Sequence, residues 1–405
     1  MDKSVLSCFS GAGGMDLGLE AAGFTSVGCI ELEELPRNTL IKNRPEWPIL
    51  EPHDVVAAGA TLRPQDLDLE PRELTLLAGG PPCQPFSMAA QWQKPKPGTD
   101  DDRGKTVLGM LNLVDRFLPS AILIENVAGF LQGRNSAVEL ISHKLGQIND
   151  KHQTSYRLEH WILNAADYGV PQNRRRAIGI AFRDGAPAEG LARPAPSHSG
   201  NPVTAWDAIS DLTIASVPRA EGGYADLLPS IPEGGNYLHL TARGGGPSVE
   251  LFGYRTRYWS FLLKLRRDAP AWTLPASPGP STGPFHWDNR PLAIEERLAL
   301  QGFPSSWELA GSPRDAVRLV GNATPPPLAE AMGRYISTTL LSSEVPTAEQ
   351  LRPTIAVRRK EAPPNPIPPV ALPERWKARV YSRDAHPGAG AGPAGHPTEQ
   401  NTRPS

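Results

Sequence analysis

The sequence predicts an α/β protein: a mostly parallel, helix-covered sheet joined to a smaller, loop-rich domain. Three observations lead there. Short apolar runs alternate with stretches of helical spacing through residues 1–185, the pattern of βαβ units. Chemically loaded residues gather where those runs end, and in open parallel sheets the carboxyl ends of the strands form the ligand edge. From 186 to 290 the periodicity gives way to Pro, Gly and Ser with isolated aromatics, and helical spacing returns at 291–300 and 329–340. The expected organisation is therefore a first domain over 1–185 completed by 291–342, with a second domain over 186–290 inserted between its parts.

Residues 5–9 form the first predicted strand, ending in the Gly-rich turn Ser10-Gly11-Ala12-Gly13-Gly14, and 15–22 continue as a helix. The second strand, 26–30, ends at Glu31, and the third, 74–78, runs into Gly79-Gly80-Pro81-Pro82-Cys83. Helical spacing over 109–117 precedes a fourth strand at 121–124, which ends at Glu125-Asn126. Residues 136–148 are helical again and 177–182 make a further strand. Beyond 342 come APPNPIPPVALPER and GAGAGPAGHP, with too little apolar surface to offset the entropy of ordering, so 343–405 is expected to be a disordered Pro/Gly/Ala-rich tail.

Composition narrows the function classes. A chain of 405 residues can build two cores without staples. Three scattered cysteines (Cys8, Cys29, Cys83) suit neither a disulfide framework nor a zinc site, so no metal is expected and the reducing cytoplasm is the natural compartment. No stretch approaches about 18 apolar residues, so neither a signal peptide nor a membrane span is expected. A net charge of −2 excludes a uniformly basic nucleic-acid coat, though not a local basic face.

At the strand ends the residue types suggest chemistry. A Gly-rich turn opening a helix presents backbone N–H groups to a ligand, but Asp16 stands where a dinucleotide fingerprint requires Gly, and a generic tight turn fits as well. Glu31, about 20 residues on, is placed to bind two ribose hydroxyls; a solvated charge run (ELEE) is the alternative. Cys8 and Cys29 lie in apolar runs and read as core. Cys83 sits among turn residues after two prolines, where a thiolate nucleophile can be stabilised. Glu125 follows an apolar strand, where a carboxylate is costly unless paired or protonated. In Gln172-Asn173-Arg174-Arg175-Arg176 an extended backbone puts Gln172, Arg174 and Arg176 on one face, fit for an anion or a base edge.

Taken in order, FSGAGG, PPCQPFS, ENV, QNRRR and GNATPP resemble the motif series of the DNA cytosine-5 methyltransferases of the bacterial restriction-modification type, over residues 4–185 and 290–340. The resemblance implies a class I S-adenosylmethionine-dependent methyltransferase fold, a Rossmann-like sheet, with 186–290 as target-recognition domain. It implies that S-adenosylmethionine lies over the Gly-rich turn, with Phe9 on the adenine, the backbone of Gly11, Ala12, Gly13 and Gly14 at the amino-acid end, Glu31 on the ribose and Asp54 on the adenine amino group. Pro82, Asn322 and Ala323 would complete that pocket. Cys83 would add to C6 of a cytosine, Glu125 would donate to its N3 and 4-amino edge, and Arg174 and Arg176 would orient Glu125 and hold the base. The base would be flipped out of duplex DNA. A polar lid over 84–103, with Ser87 and Arg103, would close on the DNA, and Gln172, Arg255 and Arg257 would contact it. The stretch 253–267 interleaves Arg and Lys with aromatics as phosphate and groove contacts require, although its second half fits an amphipathic core helix equally well.

The chain departs from the family pattern at three places. Ser7 stands where an acidic residue usually anchors the turn, Thr106 falls at the usually aliphatic cofactor contact, and Thr324 replaces the usual Val of GNATPP, a near-isosteric change expected to be tolerated. A dehydrogenase explains neither Cys83 nor QNRRR. A transfer-RNA methylase shares the motifs but has a shorter recognition region, and a silent DNA-binding relative should have lost Cys83 or Glu125. The expected enzyme is thus a monomeric DNA methylase that reads a short duplex sequence, paired in function with a restriction endonuclease or acting as a solitary regulatory methylase.

Overall fold

Strand β1 (Ser4–Cys8) is buried along its whole length because it has a neighbouring strand on each side and helices cover both faces of its sheet. The computed structural model describes residues 3–82, 102–132, 136–185, 190–241, 251–252, 259–342, 344–355, 357 and 360–377. After β1 the Gly-rich turn leads into α1 (Gly14–Ala21), and β2 (Thr25–Ile30) returns parallel to β1. Helices α2 (Glu34–Asn43) and α3 (Val55–Thr61) carry the chain to β3 (Leu76–Gly79), parallel to β1 on its other side. The winding reverses between β2 and β3, which opens a crevice beyond the carboxyl ends of the strands.

Helix α4 (Asp102–Phe117) precedes β4 (Ala121–Val127), and α5 (Ala128–Leu131) and α6 (Val138–His152) follow it. Then come β5 (Glu159–Asn164), the two-residue β6 (Gln172–Asn173) and β7 (Arg175–Phe182). The sheet order is β2-β1-β3-β4-β7-β5, with β7 antiparallel to both of its neighbours. Alternation along the strands sorts the core: Leu6, Cys8, Leu77 and Ile122 face α4 and α6, whereas Val5, Leu76, Ala78 and Leu123 face the opposite layer.

The second lobe is irregular apart from α7 (Ala205–Ile209), several 3-10 turns and β8 (Ala271–Trp272), which pairs with β6. Its centre is an aromatic and aliphatic cluster around Leu228, Tyr237, Phe252, Phe261 and Phe285. Phe261–Leu265 are buried without forming the helix that their pattern allowed. The chain then returns through α8 (Ile294–Gln301), α9 (Pro313–Asn322) and α10 (Pro326–Ser342), the last packing on α1. Pro326 opens α10, as proline at a first helical position should, so this helix begins earlier than its apolar period suggested. Helices α2, α3 and α9 and strand β5 were not anticipated at all. Among the described residues no helix is long and apolar enough to cross a membrane.

The expected disordered tail needs correction over residues 344–377. Leu351 is fully buried in the sheet domain beside α10, and buried Glu330 of α10 accepts from Thr354 N at 2.8 Å and Ile355 N at 3.1 Å. Further on, Lys360 N donates to Asp207 Oδ1 at 2.9 Å and Trp206 Nε1 to the Glu361 carbonyl at 3.1 Å. The segment ends in α11 (Glu374–Lys377), whose Trp376 is buried in the core of the second lobe and stacks on Tyr224 at 5.7 Å. It is a strap from one lobe to the other. Residues 378–405 of the expected tail lie outside the described residues.

Candidate active site

The turn after β1 is held in left-handed backbone, with φ of 60° at Phe9, 55° at Gly11 and 80° at Gly13. A positive φ is strained for Phe, and such strain persists only where the surroundings enforce it. Glu31, at the end of β2, supplies part of that enforcement. Its Oε2 accepts from Gly11 N at 2.8 Å and its Oε1 from Glu33 N at 2.9 Å. Burial raises the Glu31 pKa and these backbone bonds oppose the rise.

The missing acid at Ser7 is replaced from an unexpected direction. Asp16, the residue that spoils the dinucleotide fingerprint, is buried under the turn, and its Oδ1 accepts from Ser10 Oγ at 3.2 Å, while Ser7 Oγ also lies 3.2 Å from Ser10 Oγ. Burial holds the Asp16 carboxyl above the usual carboxylate range, against the lowering effect of its bonds to Ser7, Cys29 and Ser10. Cys8 and Cys29 are buried free thiols with raised pKa values, which makes them structural rather than reactive.

Beyond the turn lies a cavity of about 390 Å³. Phe9, Gly11, Ala12, Glu31, Asp54, Pro82, Thr106, Asn322 and Ala323 all line it. Asp54 also caps α3 through a bond from Val56 N at 2.9 Å. Gly13 and Gly14 are not among the lining residues. Their role is packing: a Cβ on Gly14 would fall 2.1 Å from the Thr324 carbonyl oxygen. Trp307 Nε1 donates to the Ala12 carbonyl at 3.0 Å and supports the turn from behind.

Glu125, within β4, also lines the cavity, and its side chain is 9% exposed. Arg176 Nε meets its Oε1 at 2.9 Å, and Thr324 Oγ1 donates to its Oε2 at 3.1 Å. Asn126 Nδ2 donates to the Pro81 carbonyl at 2.7 Å and so fixes the backbone at Pro81. Arg174 is buried, and its Nη2 donates to the carbonyls of Gly321 at 2.7 Å and Ala323 at 3.1 Å. These bonds serve the junction between α9 and α10 that carries Ala323 and Thr324, while Arg176 lies on Glu125.

Gln172 corrects an expectation. The face it shares with Arg174 and Arg176 is right, but the residue is fully buried under α8. Its Nε2 donates to Gln301 Oε1 at 2.8 Å and the Leu300 carbonyl at 3.2 Å, and its Oε1 accepts from Leu274 N at 3.1 Å. An amide so enclosed does not meet DNA; it braces Gln301, whose Nε2 holds the Val320 carbonyl at 2.7 Å. Alternation along a strand identifies the shared face but not what covers it. Sequence reasoning also missed Asn126, Gln301 and Trp307, of which only Asn126, adjacent to Glu125, carried any signal. Cys83, Ser87, Arg255 and Arg257 lie outside the described residues, and Arg103 falls in α4 with its side chain undescribed.

This geometry has known counterparts. Residues 4–338 match the family model of C-5 cytosine-specific DNA methylases. The chain is 31% identical over 375 residues to the type II methyltransferase M.SacI of Streptomyces achromogenes, covering 83% of this chain and 93% of that one. It is 33% identical over 346 residues to M.Eco47II of Escherichia coli, covering 82% and 78%. A solved structure of a DNMT2 mutant from Spodoptera frugiperda shares the fold at a TM-score of 0.55 and 16% identity, covering 81% of this chain and 98% of that one. The chain belongs to the C-5 cytosine-specific DNA methylase family, and it is a DNA (cytosine-5-)-methyltransferase of class I α/β fold.

Proposed function

We propose that the protein methylates C5 of a cytosine flipped out of a short, specific duplex sequence, through a covalent adduct between Cys83 and C6. We further infer that this methylation protects host DNA from a cognate restriction endonuclease, in line with the type II methyltransferases that the chain resembles. The observation that carries the reading is one cavity lined by Glu31, by Glu125 held at both of its oxygens, and by Pro82, the residue before Cys83.

The cavity suits the cofactor this family uses. Its volume lies within the roughly 300–1,000 Å³ of small-molecule sites. Its polar groups suit the parts of S-adenosylmethionine: Glu31 for the ribose hydroxyls, Asp54 for the adenine amino group, and the side-chain-poor Gly11–Ala12 backbone for the amino-acid end. When bound, S-adenosylmethionine supplies an electrophilic methyl group for C5. The protein's part is to make C5 nucleophilic. Cys83 thiolate forms the Sγ–C6 bond, and the displaced C5=C6 electron pair is delocalised toward N3, where Glu125 holds a proton and so stabilises the charge as it develops. After transfer, loss of the C5 proton and breakage of the Sγ–C6 bond restore the aromatic ring and the free thiolate.

The decisive experiment pairs a variant with a trap. Cys83→Ser should abolish methyl transfer to duplex DNA and leave the melting temperature and cofactor binding unchanged, because the thiolate acts only in the chemical step. Wild-type protein should form a covalent adduct with a duplex carrying 5-fluorocytosine at its site, which bisulfite sequencing of DNA from an expressing host would identify. A serine variant with wild-type turnover would sink the proposal, as would labelled methyl groups that enter transfer RNA but not duplex DNA.

A further inference from the structure

We propose that the Thr324 hydroxyl is a positioning group for the reaction: with Arg176 it forms a two-point clamp that fixes the Glu125 carboxyl group in its working orientation. This rests on the reading of Glu125 as the group that holds the proton at cytosine N3.

The terminal torsion of a glutamate is broad and roughly two-fold, so one anchor leaves the carboxyl plane free to turn. Arg176 is such an anchor, at Oε1 and 2.9 Å. Thr324 Oγ1 is a second, at Oε2 and 3.1 Å, and it arrives from a different element, the junction between α9 and α10. Two donors on two oxygens define the plane. Between them they also sort the proton. Guanidinium can only donate, so Oε1 remains an acceptor and a proton on the carboxyl group resides on Oε2. Thr324 donating to Oε2 fills one of its lone-pair directions and leaves the O–H to point elsewhere. Glu125 lines the cavity, and Gly80 lies close beside its carboxyl group, where an added Cβ would sit 3.4 Å from Oε2.

The hydroxyl is also rigidly presented. Thr324 follows Ala323, whose carbonyl accepts from both Arg174 Nη2 and Gln301 Nε2 at 3.1 Å, and its own carbonyl lies against Gly14. Valine would fill the same space and offer no donor, so the exchange is isosteric in shape but not in chemistry. The expectation that Thr324 is a neutral replacement for Val therefore misses what the oxygen touches.

Single-turnover methyl transfer to duplex DNA at saturating cofactor, with separate titrations of cofactor and DNA, tests this on Thr324→Val, Thr324→Ser and Glu125→Gln. The valine variant should react about tenfold more slowly, the loss expected for one hydrogen bond to the protonated carboxyl group, with both affinities within about twofold of wild type. Serine, which keeps the hydroxyl, should recover most of the rate. If Glu125→Gln is crippled but Thr324→Val reacts at the wild-type rate, or loses affinity without losing rate, the clamp is refuted. If Glu125→Gln itself keeps full activity, the assignment of Glu125 falls and the clamp falls with it.

Discussion

The ligand edge of the sheet and the strap over residues 344–377 are ordered by opposite means. At the sheet edge the backbone is fixed by strand ladders, and each functional group needs only a short reach: Glu31 to Gly11, Asn126 to Pro81, Arg176 to Glu125. The strap has no ladder. It is held at separated anchors, namely Thr354 and Ile355 on Glu330, Lys360 and Glu361 on α7, and Arg375 and Trp376 on Asp226 and Tyr224. Between the anchors its chain is Pro-rich, and proline has already given up backbone freedom in the unfolded state. Few anchors are then enough to order it. The comparison teaches that low apolar content marks disorder only when the entropy to be lost is also large.

The largest expected effect follows from removing the strap. A chain ending after Ser342 loses the contacts of Leu351, Leu372 and Trp376, all buried. Burial of one large aromatic side chain is worth about 3–5 kcal/mol, which at roughly 2–4 °C per kcal/mol predicts a fall in melting temperature of roughly 6–20 °C. Weaker binding to cognate DNA should accompany it, because the strap is bonded to both lobes. Calorimetry that shows the truncated and full chains melting together would place the strap among the dispensable parts.

A smaller effect sharpens the other half of the comparison. Glu31→Ala removes both the group offered to the ribose and the acceptor of two backbone N–H groups. S-adenosylmethionine affinity should drop by about 1.5–3 kcal/mol in a calorimetric titration, with melting affected far less than by truncation. Unchanged affinity would mean that Glu31 only shapes the turn.

What could be read in the sequence divides along the same line. The strands β1 to β4 and β7, and the residues at their ends, were legible because strand, turn and site residue are consecutive in the chain. The edge strand β5 is only partly buried and so lacks an apolar signature. Helix α9 was overlooked in a Gly- and Pro-rich stretch, although Ser312 and Asp315 form a capping box with Pro313 at the first position, a signal that was there to be read. The second lobe and the strap are set by contacts up to 155 residues apart, such as the Trp206 indole on the Glu361 carbonyl, and no local period records those. Gln172 was misread because its residue type suits a ligand, and only the fold reveals that other protein groups already occupy it.

Asp16 offers the finest test, because it belongs to the sheet edge yet acts, like the strap's anchors, by holding other groups in place. Its carboxyl is kept above the usual carboxylate range chiefly by burial, and its Oδ2 has no hydrogen-bond partner among the described residues. The folded chain therefore binds this proton more tightly than the unfolded chain does. A group of that kind contributes stability that is fully present below its unfolded pKa of about 3.9 and is lost as the pH rises through the folded value. Asparagine at this position has no proton to lose. Whatever Asp16→Asn does to stability at about pH 5, the difference in melting temperature should move in favour of the variant as the pH is raised to about 8, by roughly 2–4 °C for each 1 kcal/mol of linkage. A difference that stays constant across that range would show that Asp16 is ionised in the folded protein, and that the turn is anchored by a charge rather than by a neutral acid.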